Sequence, residues 1–471
     1  MNGIRSAVRD ERGIAVVIAL VTLLTLSALV MAFLGMSYFE PQISRNLLEA
    51  TQARYVAEAA LEVAYDTLVN NADWAALVAG SGAACGNVTS VDGTSALTGN
   101  IVGAANSALP GSTTASGRYT VRVRNDCRNN DALLTGVTRE NDATEANDHV
   151  VLTATATYGN ATRTMTVVVV RVPNLLSPGA PPSGALNAAL SFPGYEADTR
   201  FTGNAFTVDG RNHDLSGNVL SGNALLGISV GPEDQFVPAG GPVMQHELTV
   251  QNSLSNQQKD NVVGKHESGS GTTIGDNTIA AAALTSQAVT DFVNAVKSFA
   301  DITIDSTPAS PASFNNIGST CAGNYSSTSC WGTSAQPKIV YVKGAIDPTS
   351  AFNALRISGN SSGAGILIVE DGDLTLNGNF GWEGPIIVTG GYVGVGINGG
   401  GNQTVRGALI SNETATNEAP GFYEGVLHGN AKVQYSRAAI DNALALLAGK
   451  VPGGTGGTAY VKVQMYNFQE Q

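Results

Sequence analysis

Hydrophobic positions are distributed along this chain in three ways, and each predicts a different kind of element. From Ile14 to Phe39 they are nearly continuous: IAVVIALVTLLTLSALVMAFLGMSYF holds no formally charged residue over 26 positions. As a helix rising about 1.5 Å per residue this run extends about 39 Å, enough to cross the hydrocarbon of a bilayer. After Pro41 the pattern turns periodic. In QISRNLLEATQARYVAEAALEVAYDTLV, Ala57, Leu61, Ala64 and Leu68 step by four, three and four, a single apolar stripe. Glu58, Glu62 and Asp66 form an acidic stripe on another face, with Arg54 one turn before Glu58 and placed to pair with it. Together these patterns predict one long helix over 14–72, spanning a membrane over 14–39 and amphipathic beyond.

The second pattern has period two. RYTVRVRN (118–125) and DHVVLTATATYGNATRTMTVVVVRV (148–172) predict strands, the latter a hairpin turning near Tyr158-Gly159-Asn160. Residues 73–117 are rich in Gly, Ala, Ser and Thr and read as irregular, so 73–172 forms a β-sheet region with loops. PNLLSPGAPPSG (173–184) is a Pro/Gly linker.

The third pattern is short apolar runs punctuated by Gly-Asn turns, as in LSGNVLSGNALLG and ALRISGNSSGAGILIVEDGDLTLNGNF. Gly365-ILIV, Gly384-PIIV and Gly407-ALI recur 19 and 23 residues apart. Strands repeating about every 20 residues predict stacked coils of a parallel β-solenoid over 185–471. A helical, polar insertion at about 246–335 interrupts it, and YSRAAIDNALALLAG predicts a helix capping the open edge. The fold class is α+β: a long N-terminal helix on an antiparallel sheet, followed by a β-rich domain.

Charge and composition set the compartment. Arg5, Arg9 and Arg12 precede the apolar run and place the N-terminus in the cytoplasm, with everything after Phe39 outside. The apolar run is longer than the core of a cleaved signal peptide and continues into more helix, so it is retained. Lys+Arg number 25 against Asp+Glu 38, a net charge of -13, with no basic patch, which disfavours nucleic acid as a partner. The four cysteines, Cys85, Cys127, Cys321 and Cys330, show no C-x-x-C spacing and no histidine at ligand spacing, which argues against zinc. In an exported chain they predict two disulfides. Local pairing favours Cys321 with Cys330 and Cys85 with Cys127, and the two other connectivities stay open.

Catalytic motifs are present only as fragments. Gly359-Asn-Ser-Ser-Gly363 matches G-x-S-x-G, but GILIVE follows where a nucleophile elbow needs a helix, so Ser361 reads as a turn residue. Gly394-Val-Gly-Ile-Asn-Gly399 matches a dinucleotide fingerprint without the helix that would hold the pyrophosphate. Glu370, Asp371 and Asp373, and separately Asp209 and Asp214, could ligate calcium, but they lack the spacing of a calcium loop and read as solvated turn acids. His149, His213, His246, His266 and His428 are dispersed and read as surface or turn residues. No cofactor and no enzymatic activity are expected. A carbohydrate-active solenoid, the enzymatic rival, requires convergent carboxylates along one groove.

The segment DERGIAVVIALVTLLTL, followed by LLEATQARYVAEAALEVAY, resembles the N-terminal region of PilX-type minor pilins of type IV pili. The likeness rests on the short charged leader (1–13), the glycine at the hydrophobic boundary and the A-E-A-A-L-E segment from Ala57 to Glu62. It covers about the first 70 residues and, more loosely, the rest. It implies cutting by a prepilin peptidase between Gly13 and Ile14, at a bond expected to be extended and accessible. It further implies residence in the inner membrane before assembly and in the pilus fibre afterwards. The partners it implies are the major pilin, other minor pilins and a PilY-type tip adhesin, with roles in priming or capping the fibre, adhesion and twitching motility. Major pilins carry a glutamate five residues into the mature chain, where Ile18 stands here, which argues against a major pilin. The size of the C-terminal part fits a tip or low-copy position. The alternatives are a type II secretion pseudopilin and a membrane-anchored surface β-solenoid with an adhesive or carbohydrate-active role.

Overall fold

The computed structural model describes residues 4–69, 74, 117–126, 148–180, 184–222, 224–231, 235–236, 244–265, 278–318, 321, 324–347, 352–398, 400–415, 422–450 and 460–470. The chain divides into two units: residues 1–170 with 465–471, and residues 171–464. A long N-terminal helix and a β-rich body with both antiparallel and parallel sheets make the fold α+β.

In the first unit, helix α1 runs from Ile4 to Val69 with Pro41 inside it. Strands β1 (Gly117–Asn125), β2 (His149–Tyr158) and β3 (Ala161–Pro173) pair antiparallel in sequence. The second half of α1 packs on β1 and β2. Its apolar stripe is what the helix buries: Ala53, Ala57, Ala60 and Ala64 have no exposed surface, and Leu61 and Leu68 almost none. Alanine along the contact lets the helix backbone approach the sheet closely. Trp74 donates its indole N–H to the Leu68 carbonyl at 3.1 Å, which satisfies one of the acceptors left open at a helix end.

A fourth strand, Tyr460–Glu470, completes this sheet in the order β1, β2, β3, then 460–470. The sequence pattern assigns this segment to the C-terminal domain, because its alternation marks a strand but not the strand's partner. The second unit is therefore inserted between β3 and the last strand of the first unit's sheet.

In the second unit every strand of the main sheets pairs in parallel, and the pairings fall into three columns. The first contains Ile302–Asp305, Lys338–Lys343 and the later halves of Asn360–Glu370, Asn379–Gly390 and Gln403–Glu413. It continues through Ala188–Phe192, Leu226–Val230 and Ile279–Ala281. The second stacks Ala312–Asn315, Leu355–Ser358, Leu374–Asn377, Val395–Asn398, Gly425–His428 and Thr199–Thr202. The third takes the early halves of Asn360–Glu370, Asn379–Gly390 and Gln403–Glu413, then Lys432–Tyr435, Thr207–Asp209 and Val262–Val263.

Burial follows from this layout. The central strands of the first column are apolar on both faces, as in Ile366-Leu-Ile-Val369, where helices Ser286–Val296 and Arg437–Lys450 pack on the strands within 360–413, whereas Ile302–Asp305 at one end alternates, with Thr303 and Asp305 exposed. Strands of the second column alternate, as in Leu355 and Ile357 buried with Arg356 exposed.

Each of the three long strands crosses from the third column to the first at a glycine: Gly365, Gly384 and Gly407, with φ of 122°, 131° and 149°. These glycines lie one above another, and a Cβ on Gly384 would sit 2.0 Å from the Gly365 carbonyl oxygen. The recurrence at 19 and 23 residues is the length of chain between successive crossings. Beside the turns, Asn379 Nδ2 donates to Asn360 Oδ1 at 2.8 Å, and the Asn402 amide donates to Asn379 Oδ1 at 3.0 Å. Satisfied side-chain amides thus link one turn to the next.

Three features differ from the sequence expectation. Within 246–335 the chain forms helices His246–Asn252, Asn256–Lys259 and Ser286–Val296, and it also contributes four strands to the columns. Helix Arg437–Lys450 lies across three consecutive strands of the first column, on a face of the stack. In the Pro/Gly stretch, Leu175 and Leu176 are buried in the core of the second unit and Arg437 Nη2 donates to the Leu176 carbonyl at 3.1 Å. That part is a packed turn.

Candidate assembly surface

The most exposed apolar surface among the described residues is the first half of α1. Leu24 is 72% exposed and Met31 73%, and apolar side chains from Ile14 to Phe39 project all round the helix. An apolar surface this large does not stay in water; it marks a membrane or a partner. Two hydroxyls inside this run bond to the helix's own backbone: Thr22 Oγ1 donates to the Ile18 carbonyl at 2.7 Å and Thr25 Oγ1 to the Thr22 carbonyl at 2.9 Å. Ile18 is exposed with the rest and contributes no charge.

Helix α1 runs unbroken through Gly13 and Ile14. The bond between them, expected to be extended, is helical here. Glycine costs about 1 kcal/mol relative to alanine inside a helix, so unwinding costs less at Gly13 than at the residues beside it.

At the other end of the exposed segment, Glu49 fixes the helix to the sheet. Its carboxylate accepts Arg45 Nε at 2.8 Å and the Asn160 amide at 3.0 Å, within the turn that joins β2 to β3. These two bonds, that from Asn160 first, hold its pKa below the usual glutamate value. Gly159, with φ of 58°, makes room: a Cβ there would lie 2.6 Å from the Glu49 carboxyl carbon. The one signal for Glu49 in the sequence is its place four residues before Ala53, in line with the buried stripe. Arg54 Nε pairs with Glu58 at 3.0 Å, and Glu62 and Asp66 face solvent.

The motif fragments of the second unit have structural partners. Ser361 is buried; its hydroxyl donates to the Ser358 carbonyl at 2.8 Å and accepts the Ile317 amide at 3.1 Å. Val395–Asn398 is a strand, and the next element, Gln403–Glu413, is another; Gly399 lies outside the described residues. Glu370 accepts Lys297 Nζ at 2.8 Å and the Tyr341 hydroxyl. Asp209 accepts Arg211 Nη2 at 2.7 Å and lies 3.3 Å from His213 Nε2. Asp214 closes its own turn, accepting the amides of Ser216 and Asn218. Among the described residues no group of three or more His, Cys, Asp and Glu is arranged to hold a metal ion. His149, His213 and His246 are buried, contrary to the surface expectation, because each sits where a strand or helix packs; His266 lies outside the described residues.

Cys321 and Cys330 form a disulfide with Cα atoms 4.8 Å apart. Its loop is folded onto Lys338, whose ammonium donates to the carbonyls of Tyr325 and Cys330 and lies 4.3 Å from the Tyr325 ring centre. Cys85 and Cys127 lie outside the described residues.

Asp371 and Asp373 both have carboxyls pushed up in pKa, chiefly by burial. For Asp373 the value is about 7, although the Gly394 amide donates to it at 2.8 Å. Between about pH 4 and pH 7 the folded chain therefore holds a proton that the unfolded chain has released. Stability falls as pH rises through that window and stays lower above it. Asp373→Asn keeps an acceptor for Gly394 and is expected to flatten this slope, raising stability at pH 8 at about 1.4 kcal/mol per unit of pKa shift removed. Urea denaturation of both proteins at pH 4.5 and pH 8 measures it; equal slopes would refute the assignment.

No family model and no curated protein matches this chain. Among solved structures it aligns with the competence-associated pilin ComZ from Thermus thermophilus at 15% identity, over 90% of this chain and 98% of that one. The TM-score is 0.22, a superposition too poor to carry structural inference.

Proposed function

We propose that this chain is a pilin-type structural subunit, held in a membrane by the first half of α1 and built into a fibre through the same surface. More specifically, it is a minor pilin of the PilX type, processed between Gly13 and Ile14 and belonging to a type IV pilus. Its second unit is a parallel β-solenoid displayed to solvent.

One observation carries this reading. A single helix is bare and apolar over 14–39, and from Ala53 to Leu68 the same helix is buried on an antiparallel sheet. An ordinary single-pass anchor needs only the bare half. A subunit whose anchor becomes a packing element must have that half rigidly continued into its folded body. Helix packing in the fibre then replaces lipid around Leu24, Met31 and their neighbours. The partners would be the major pilin and other minor pilins, with a PilY-type adhesin at the tip, and no covalent chemistry is asked of this chain.

The test is the N-terminus of the mature protein together with its location. Material sheared from cells is expected to begin at Ile14 and to co-fractionate with pili only when the prepilin peptidase is active. Mature protein lacking the apolar segment, or intact protein that stays in the inner membrane of fully piliated cells, would overturn the proposal.

A further inference from the structure

The strand Tyr460–Glu470 is the outer neighbour of β3 in the first unit, although the chain passes through the whole second unit between them. Two contacts fix its direction. The Arg171 guanidinium lies 4.2 Å over the Tyr460 ring, and Glu470 approaches Arg163 Nε at 3.7 Å. The start of one strand is thus level with the end of the other, so the pair is antiparallel. Glu470 also reaches Arg54 Nε of helix α1 at 3.6 Å.

Without this strand, β3 becomes the sheet edge. Its residues Met165 to Pro173 are buried, and they include Val167, Val168, Val169, Val170 and Val172. An edge that is long, apolar and unpaired is both unstable and prone to wrong pairing. Closing so long a loop is also slow and entropically costly compared with forming a local hairpin.

We propose that strand 460–470 is a completion latch. The first unit acquires its full sheet only after the second unit has been made and exported, and Glu470 then ties the finished sheet to α1 through Arg54. A chain cut short anywhere in the second unit keeps the apolar helix but has an open sheet beneath it. The consequence for assembly rests on the pilin-type reading: only chains with an intact second unit present a finished first unit to the fibre. The latch itself does not depend on that reading.

The test uses the exported full-length chain, a version ending at residue 459, and two point variants, Val461→Pro and Lys462→Pro. Neighbouring residues in a strand direct their amides to opposite sides, so one of the two prolines removes a donor to β3 and the other does not. Amide exchange in β2 and β3 is expected to accelerate about tenfold or more in the shortened chain and in one proline variant, while the parallel columns of the second unit change by less than about twofold. A synthetic peptide of residues 460–471 is expected to restore protection to the shortened chain. Unchanged exchange in β2 and β3, or equal loss of protection in the second unit, would overturn the latch. In cells, the shortened chain is expected to enter sheared fibres about tenfold less than the full chain. If exchange behaves as expected but fibre entry does not change, the assembly consequence fails and the latch stands.

Discussion

Gly384→Val is expected to unfold the parallel columns at a temperature about 4–20 °C below the parent protein. At this position φ is 131° and a Cβ would sit 2.0 Å from the Gly365 carbonyl oxygen, a backbone atom that cannot swing aside. A side chain in this region of φ costs about 1–2 kcal/mol, and forced insertion into a packed stack adds about 1–3 kcal/mol. The sum, about 2–5 kcal/mol, reaches the upper end of what single substitutions do. Gly381→Ala, three residues earlier, has open space where the methyl would go and is expected to stay within about 0.5 kcal/mol. Thermal unfolding of the two variants side by side makes the comparison. A small effect at Gly384 would mean that the column of crossings is looser than described.

Leu24→Asp is expected to abolish membrane retention without loosening the fold. Leu24 is 72% exposed, so its side chain supports nothing within the chain. A carboxylate at the centre of a span costs about 3–4 kcal/mol relative to leucine on insertion scales, a shift of more than a hundredfold in partition. The measurement is the ratio of membrane-bound to soluble protein before assembly and the amount in sheared fibres afterwards, with Leu24→Met as the neutral control. Both are expected to fall together for the aspartate variant. Unchanged fibre content would show that the apolar half is not the packing surface.

The parts of this fold that were legible in the sequence are those whose partners lie close along the chain. The stripe Ala57, Leu61, Ala64, Leu68 announces its burial through helical period alone, and the hairpin at Gly159 brings together strands only two residues apart. The glycine recurrence at 365, 384 and 407 was visible because each crossing must clear the one beneath it. Distant closures left no such trace. Phe201 pairs with Leu427 and Leu190 with Leu409, so the segment that comes first in the second unit stacks onto strands made last. Nothing in the run around Thr199–Thr202 names that partner. The strand 460–470 is the same case, and Glu49 another: its distant partner is the Asn160 backbone amide, which carries no side-chain signature. The buried histidines escaped for a related reason: His149 opens a strand, His246 opens a helix and His213 lies on an isolated bridge, and a single polar residue at the end of an element gives no period to read.

The stacked crossings also bear on how such a molecule can change over evolutionary time. Adjacent strands are about 4.8 Å apart, so each additional turn of about 20 residues lengthens the columns by that increment and demands nothing new of the turns beside it. Copying or deleting one cassette would change the length of the columns in the second unit, and the glycine at each crossing would be inherited with it.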